Sequence, residues 1–183
     1  MVWYESSDPL KAHMEQPSKQ TFGLLVAYLI PGALALWGAS FFFEPVHWLL
    51  SLDKQPTVGG FLYVTLASVG VGMTVSSVRW LVVDRLHSVT GLRNPDWDFS
   101  LLTSNVGAYL LLVEFHYRYY QFYANMFIAV AFTHVAWRFS DYSAGTGLIV
   151  DFAVVGIECV YFVSSRDSLD KYYERVSELF TKR

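Results

Sequence analysis

The stretch "LVEFHYRYYQFYANMFIAV", residues 112–130, begins and ends like a membrane-spanning helix but carries polar side chains through its middle. Four of them, Glu114, Arg118, Gln121 and Asn125, are spaced four, three and four residues apart. At about 100° per residue, this spacing places all four on one narrow stripe of a helix. Lipid offers such groups no hydrogen-bond partner, so each needs one from protein or water. The fold therefore depends on where this stripe points and on where the bilayer lies along it.

The composition is that of a membrane protein rather than of a soluble domain. Of the 183 residues, 54% are hydrophobic and only 16% are charged, whereas a soluble domain averages about 25% charged residues. A hydrocarbon core of about 30 Å is crossed by about 20 mostly apolar residues in a helix. Four apolar runs have this length or approach it, namely residues 22–43, 59–78, 123–137 and 145–163. The sequence therefore predicts an all-α integral membrane protein with four transmembrane helices.

The sequence carries no pattern that is typical of an enzyme, a metal site or a secreted protein. It lacks the nucleophile-elbow, zinc-protease and P-loop motifs. Its single cysteine, Cys159, can form neither an intrachain disulfide nor a cysteine zinc site. The first 20 residues lack the basic and then apolar pattern of a signal peptide. We therefore expect a protein that is not an enzyme and that binds no metal and no cofactor.

Lysine and arginine residues indicate the orientation, because they are enriched on the cytoplasmic side of membrane proteins. Eleven of the 13 lie before the first apolar run, between the second and third, or after the fourth. Only Lys54 and Arg138 lie in the two connections on the other side. This distribution predicts that both termini are cytoplasmic.

The third predicted helix is longer than a bilayer is thick. Residues 101–137 contain no proline and are expected to form one helix of about 37 residues, or about 55 Å. Asp98 or Ser100 can cap its first turn. Only its second half needs to cross the membrane, so the first half is expected to extend into the cytoplasm. There Glu114 and Arg118 would meet water and can form an ion pair.

The predicted chain has three parts. Residues 1–20 form a polar N-terminal cytoplasmic segment, and residues 21–164 form the four-helix transmembrane domain, in which Pro31 suggests a kink. Residues 165–183 are expected to form a cytoplasmic amphipathic helix. Its apolar side is predicted to consist of Leu169, Tyr172, Tyr173, Val176, Leu179 and Phe180.

A stripe of small residues marks the second predicted helix. Ser68, Gly72 and Ser76 are spaced four residues apart, and Thr65 and Arg79 extend the same stripe by three residues at either end. Small residues in a membrane helix are typical of close packing against another helix. The same stripe can also line a pore, and the sequence leaves both interpretations open.

Two acidic residues lie within the fourth apolar run. Asp151 and Glu158 are seven residues apart and share one helix face. Asp151 lies within about one turn of the outer end and can reach the interface. Glu158 lies deeper, where an acid costs at least about 2.5 kcal/mol on insertion scales. We expect Glu158 to line a pore or to contact an ion, and the alternative is a buried acid satisfied by Ser, Tyr or His side chains.

The N-terminal segment mixes acidic, basic and aromatic residues before the first apolar run. In a ring of subunits, such segments can converge on the axis and plug a cytoplasmic vestibule, whereas the simpler interpretation is a disordered tail. The residues expected to form the plug are Glu5, Asp8, Lys11, His13 and Glu15.

The polar stripes are too few for one chain to enclose a water path, so we expect a homo-oligomer, most simply a cyclic one. The leading hypothesis is an ion channel, and acids at its wall would favour cations. The alternative is a non-conducting membrane sensor or adaptor, in which the stripes are packing surfaces and a cytoplasmic protein docks on the third and C-terminal helices. The residues expected to line an ion path are Glu158, Asp151, Glu114, Arg118, Gln121, Asn125, Ser68, Gly72 and Ser76.

Two segments resemble those of small uncharacterised membrane proteins of bacteria, namely "HYRYYQFYANM" (116–126) and "SRDSLDKYYERV" (165–176). The architecture of nearly the whole chain is similar to that of the small multi-span effectors of anti-phage defence, and is most like the membrane effector of Hailong systems. The membrane subunit of Kiwa systems is similar in size and number of spans. No functional residue is carried over from either family, because no diagnostic motif aligns.

The Hailong resemblance implies a homotetrameric channel-like effector in the inner membrane of a bacterium, autoinhibited by its N-terminal segment. It also implies a partner nucleotidyltransferase, whose DNA oligomer product keeps the channel closed until phage infection. The Kiwa resemblance implies instead a sensor that restrains a soluble partner. The basic residues lie in loops next to the predicted membrane and are explained by anionic lipid, so direct binding of double-stranded DNA is not expected.

Overall fold

The structure is a computed structural model that describes residues 9–51, 57–143 and 147–180. Within these ranges the chain forms α-helices with short turns between them and no strand, which confirms the all-α fold class. The helices are α1 (Pro9–Ala39), α2 (Glu44–Leu50), α3 (Val58–Val89), α4 (Leu102–Leu112), α5 (Arg118–Arg138) and α6 (Leu148–Phe180).

Two of these helices, α3 and α6, are each long and apolar enough to cross a membrane. Their large apolar side chains point outward along the predicted membrane-crossing part. Phe61 and Leu66 of α3 are 70% and 71% exposed, and Phe152 of α6 is 75% exposed. Apolar side chains in this position are stable against lipid or against another protein, but not against water. The apolar part of α1, Leu25–Ala39, is shorter.

Helix α1 packs between α3 and α5. The residue pairs in contact show that α1 is antiparallel to α3, because Tyr28 lies against Gly72 and Gly32 lies against Ser68. Further along α1, Leu34 contacts Thr133 of α5. Helix α1 continues through Pro31, which is fully buried in this interface.

Helix α6 runs antiparallel to α5 and to the residues just before it. The pairs in contact run from Arg138 with Asp151 to Tyr117 with Tyr172, whose ring centroids are 5.2 Å apart. Four helices therefore lie side by side, with α1 and α5 running in one direction and α3 and α6 in the other. The α1–α3 and α5–α6 connections lie at the same end of this bundle.

The backbones of α1 and α3 are in direct contact where they cross. A Cβ atom added at Gly32 would lie 1.8 Å from the carbonyl oxygen of Ser68, and one added at Gly72 would lie 2.0 Å from that of Tyr28. Only residues without a side chain allow so close an approach. The geometry at Ser68 and Gly72 therefore favours the packing interpretation of the small-residue stripe over pore lining.

The predicted third helix is continuous but is not a uniform α-helix. Asp98 accepts a hydrogen bond from the backbone N–H of Ser100 (3.0 Å) and caps the first turn, as expected. Between α4 and α5, the segment Val113–Tyr117 forms a π-helical turn. Such a turn contains one extra residue, so side chains on its two sides lose the ordinary α-helical register.

The C-terminal amphipathic helix is the second half of α6, which runs without a break from the fourth apolar run. Four of the six predicted apolar residues are buried, and Tyr173 and Leu179 are half-buried. They pack on the ends of α3 and α5 and beside α4, in a core that is rich in tyrosine. The buried residues of this core are Val83, Tyr120, Ala124, Leu169, Tyr172, Val176 and Phe180.

We predict that Gly72→Ala destabilises the protein, whereas Gly70→Ala, two residues earlier on the same helix, does not. Added atoms at Gly72 must push the backbone of α1 away, which costs more than about 2 kcal/mol. Nothing lies within 4 Å of a Cβ at Gly70, so alanine there is neutral or stabilises the helix by up to about 1 kcal/mol. Unfolding by heat in detergent, followed by circular dichroism, checks this. Equal stability of the two variants would contradict the close crossing.

Candidate functional site

The polar stripe of the opening segment lies between α5 and α1. Asn125 is fully buried, and its amide nitrogen donates a hydrogen bond to the carbonyl oxygen of Ala27 (3.0 Å). The amide nitrogen of Gln121 lies 3.5 Å from the hydroxyl oxygen of Tyr28. Both side chains therefore connect two helices of the same chain. Interhelical hydrogen bonds of this kind are a common stabilising contact in membrane bundles.

One helical turn nearer the start of α5, Arg118 also points at α1. A Cβ atom added at Gly23 would lie 2.5 Å from Nη1 of Arg118, so the guanidinium lies directly over the α1 backbone. Among the described residues, Glu114 and Arg118 form no ion pair. The physical reason is the π-helical turn, which begins at Val113 and removes the i,i+4 register on which that expectation rested.

At the other end of the bundle, Asp151 is held by α5. The guanidinium of Arg138 donates two hydrogen bonds to its carboxylate, one of them from Nε at 2.9 Å. Nε2 of His134 lies 3.0 Å from Oδ1 of the same carboxylate. Asp151 therefore faces a neighbouring helix of its own chain, and its charge is compensated there.

Glu158 shares this face of α6 but has less protein support. It is half-buried, and within the described chain its carboxylate makes no recorded hydrogen bond or ion pair. His134 of α5 is close enough to act on it electrostatically. Glu158 lies nearly three turns, or about 15 Å, along α6 from Leu148. Of the two acids on this face of α6, it is the one whose charge the described chain compensates less.

A polar cluster that the sequence analysis did not single out lies near the ends of α3 and α5. Arg79 of α3 stacks on Tyr120 of α5, with Cζ 5.1 Å from the ring centroid. The hydroxyl of Tyr120 donates a hydrogen bond to Asp84. Nε2 of His87 and Oγ of Ser165 are 3.0 Å apart. These contacts join α3, α5 and α6 at one level of the bundle.

The cluster is a structural connection rather than a reaction centre. His87 is 1% exposed and Ser165 is fully buried, so no substrate reaches the Ser165 hydroxyl. Within the described residues, no three His, Cys, Asp or Glu side chains lie close enough to hold a metal ion. A signal for the cluster was present in the sequence, because Arg79, Val83 and His87 continue the Ser68–Gly72 stripe at helical spacing.

The remaining residues of the predicted site are Ser76 and the five residues expected to form the plug. Ser76 is half-buried and lines a groove between α1 and α3 together with Arg79. Helix α1 begins at Pro9, so its helical backbone includes Lys11, His13 and Glu15, but their side chains lie outside the described part of the chain. Glu5 and Asp8 lie outside the described residues altogether.

Comparison of the chain with protein-family models, with curated proteins and with solved structures found no match. The resemblance to defence effectors therefore remains an expectation.

Proposed function

We propose that this protein is a four-span protein of the bacterial inner membrane that docks a cytoplasmic partner, and that it acts as a sensor or adaptor. Helices α1 and α5 pack along α3 and α6, so a bilayer crossed by the latter pair encloses all four. The distribution of lysine and arginine supports an orientation with both termini in the cytoplasm.

The length of α3 supports an inner boundary of the bilayer at the level of Arg79. Arg79 lies 21 residues after Val58, or about 32 Å along the helix, and a hydrocarbon core is about 30 Å thick. Tyr120, against which Arg79 stacks, lies at the same level. The π-helical turn, α4 and the second half of α6 then extend beyond the hydrocarbon core into the cytoplasm.

An exposed apolar stripe on this cytoplasmic part carries the proposal. It follows α4, the π-helical turn and the first turn of α5, and each of its side chains is between 46% and 54% exposed. Apolar side chains grouped outside the bilayer mark a surface that binds protein. The stripe consists of Val106, Leu110, Leu111, Phe115 and Tyr119.

The polar stripe on α5, which points inward at α1, supports the same proposal. Gln121 and Asn125 are used in contacts with α1. On the outer face of α3, the hydroxyls of Thr74 and Ser77 donate hydrogen bonds to carbonyls of their own helix. The amide nitrogens of Gln121 and Asn125 are thus used in contacts within one chain, as expected for a bundle with a packing role.

The shape of the stripe favours one kind of partner. Its residues are spaced four, one, four and four positions apart, so they form a long, narrow apolar surface that the apolar face of an amphipathic helix can cover. We therefore propose that the partner presents such a helix from the cytoplasm. Anti-phage defence, the context that the resemblance implies, is the setting in which we expect this pair to work.

A photo-crosslinking residue at position 110 tests the docking surface in cells of the native host. We expect a covalent adduct with one other protein at position 110, and none at position 66, which is exposed on the membrane-crossing part of α3. Leu110→Asp should abolish association with that protein at an unchanged membrane level of the variant. Adducts only with a second copy of the chain, or equal adducts at both positions, would contradict the proposal.

The second candidate is a homo-oligomeric channel-like effector that is autoinhibited by residues 1–20 and opened during phage infection. Glu158 favours it, because a half-buried acid that forms no ion pair with the described residues is expected to meet water or a second copy. In this case the resemblance implies a homotetramer, regulated by a nucleotidyltransferase and its DNA oligomer product.

Membrane potential distinguishes the two candidates. The sensor proposal predicts no depolarisation of bacteria by the full-length protein or by a form lacking residues 2–20. Depolarisation by the truncated form alone would contradict it and favour the channel. In that event Glu158→Gln in the truncated form should reduce the depolarisation. Glu174→Gln, at an exposed acid on the cytoplasmic half of α6, should not.

A further inference from the structure

Arg79 is a buried cation without hydrogen-bond partners. The residue is 5% exposed, and its Nε and Nη1 atoms are buried with no partner in the described chain. A guanidinium carries five N–H donors, and leaving charged donors unsatisfied in a buried position is costly. An unpartnered charged group of this kind needs an explanation, and a bound anion is one that satisfies it.

The neighbouring acid does not fill this role. Oδ1 of Asp84 lies 4.0 Å from Nε of Arg79, which is too long for a hydrogen bond. The same carboxylate oxygen accepts a hydrogen bond from Tyr120. The guanidinium carbon Cζ lies over the Tyr120 ring, 5.1 Å from its centroid, a contact that involves the ring face and leaves the N–H donors without an acceptor.

Arg79 lines a groove of about 550 Å³ between α1 and α3. The hydroxyls of Tyr28 and Ser76 line it as well and can donate further hydrogen bonds. The other walls are mostly apolar, with Val69 and Met73 one to three turns nearer the start of α3. The groove therefore combines a cation at one end with an apolar wall that extends toward the middle of the bilayer.

The depth of Arg79 indicates what occupies this groove. With α3 crossing the membrane from Val58, the guanidinium lies about 32 Å along the helix, at the level of the lipid headgroups of the inner leaflet. A guanidinium binds phosphate oxygens in a bidentate manner. An acyl chain of the same molecule would lie along Met73 and Val69.

We propose that Arg79, with Tyr28 and Ser76, binds the phosphate group of a membrane phospholipid in the groove between α1 and α3. The site concerns the membrane-embedded part of the protein and is independent of the cytoplasmic partner and of conduction. A bound phospholipid would complete the hydrogen bonds of Arg79 and fill the groove between α1 and α3.

Binding of phosphatidylglycerol to the full-length protein in detergent, measured by native mass spectrometry, tests the site. Dioleoylglycerol with the same acyl chains lacks the phosphate, and we expect it to bind at least about tenfold more weakly. Arg79→Gln should lower the affinity for phosphatidylglycerol to within about twofold of that for dioleoylglycerol. Arg85→Gln makes the same charge change at an exposed position of α3 and should leave the affinity unchanged.

Equal affinity for the two lipids would overturn the proposal, and so would an equal loss of phosphatidylglycerol affinity in Arg79→Gln and Arg85→Gln. Complete displacement of the lipid by millimolar inorganic phosphate would also overturn it, because the ligand would then be free phosphate. Arg79→Lys provides a second variant should Arg79→Gln fail to fold, because it keeps the charge. Lysine lacks the planar fork, so we expect at least about fivefold weaker binding. Unchanged affinity in Arg79→Lys would likewise count against bidentate phosphate binding.

Discussion

Direct contact between the backbones of α1 and α3, at Gly32 and Gly72, is the constraint on which the other helix contacts depend. In lipid there is little hydrophobic gain from bringing two helices together, so association depends on close van der Waals contact and on interhelical hydrogen bonds. Glycine at both positions permits the approach and fixes the height at which the helices cross. That height sets which carbonyls of α1 are presented to α5.

The hydrogen bonds from Asn125 to Ala27 and from Thr133 to Leu34 then fix α5 beside α1. Helix α6 is positioned in turn by α5, through the ion pair of Arg138 with Asp151 at one end of the bundle. At the other end, the tyrosine-rich core joins α6 to α3 and α5. Polar groups in the apolar segments thus serve mainly to specify helix neighbours. The surfaces that the described chain leaves for function are the exposed apolar stripe of α4 and α5, the groove at Arg79 and Glu158.

Much of the fold could be predicted from local pattern. Apolar runs gave the membrane-crossing parts of α3 and α6, and helical spacing gave the buried face formed by Leu169, Tyr172 and Val176. Spacing also showed that Gln121 and Asn125 share one stripe. It could not show which way that stripe points, because the direction depends on α1, which is about 100 residues away in the chain. The periodicity of a sequence identifies the faces of one helix, whereas the helix that packs on each face is decided by the tertiary structure.

Two other features lay beyond local reasoning for different reasons. The ion pair expected between Glu114 and Arg118 is absent because five residues adopt a π-helical turn, and the energetic difference between that turn and an α-helix is decided by packing around it. The cluster of Arg79, Asp84 and Tyr120 joins residues up to 41 positions apart, so only its Arg79 member is marked by the α3 stripe.

Water access to position 125 tests the central claim, that the polar stripe of α5 is a packing surface within one chain. The variant Asn125→Cys, in a Cys159→Ser background, is treated with a membrane-impermeant thiol reagent. The labelling is done in inverted membrane vesicles, whose cytoplasmic face is turned outward. Asn94→Cys, in the exposed loop after α3, serves as the reactive control. The account predicts complete labelling at position 94 and none at position 125 in the folded protein. Rapid labelling at position 125 would show that the stripe faces water, and would contradict it.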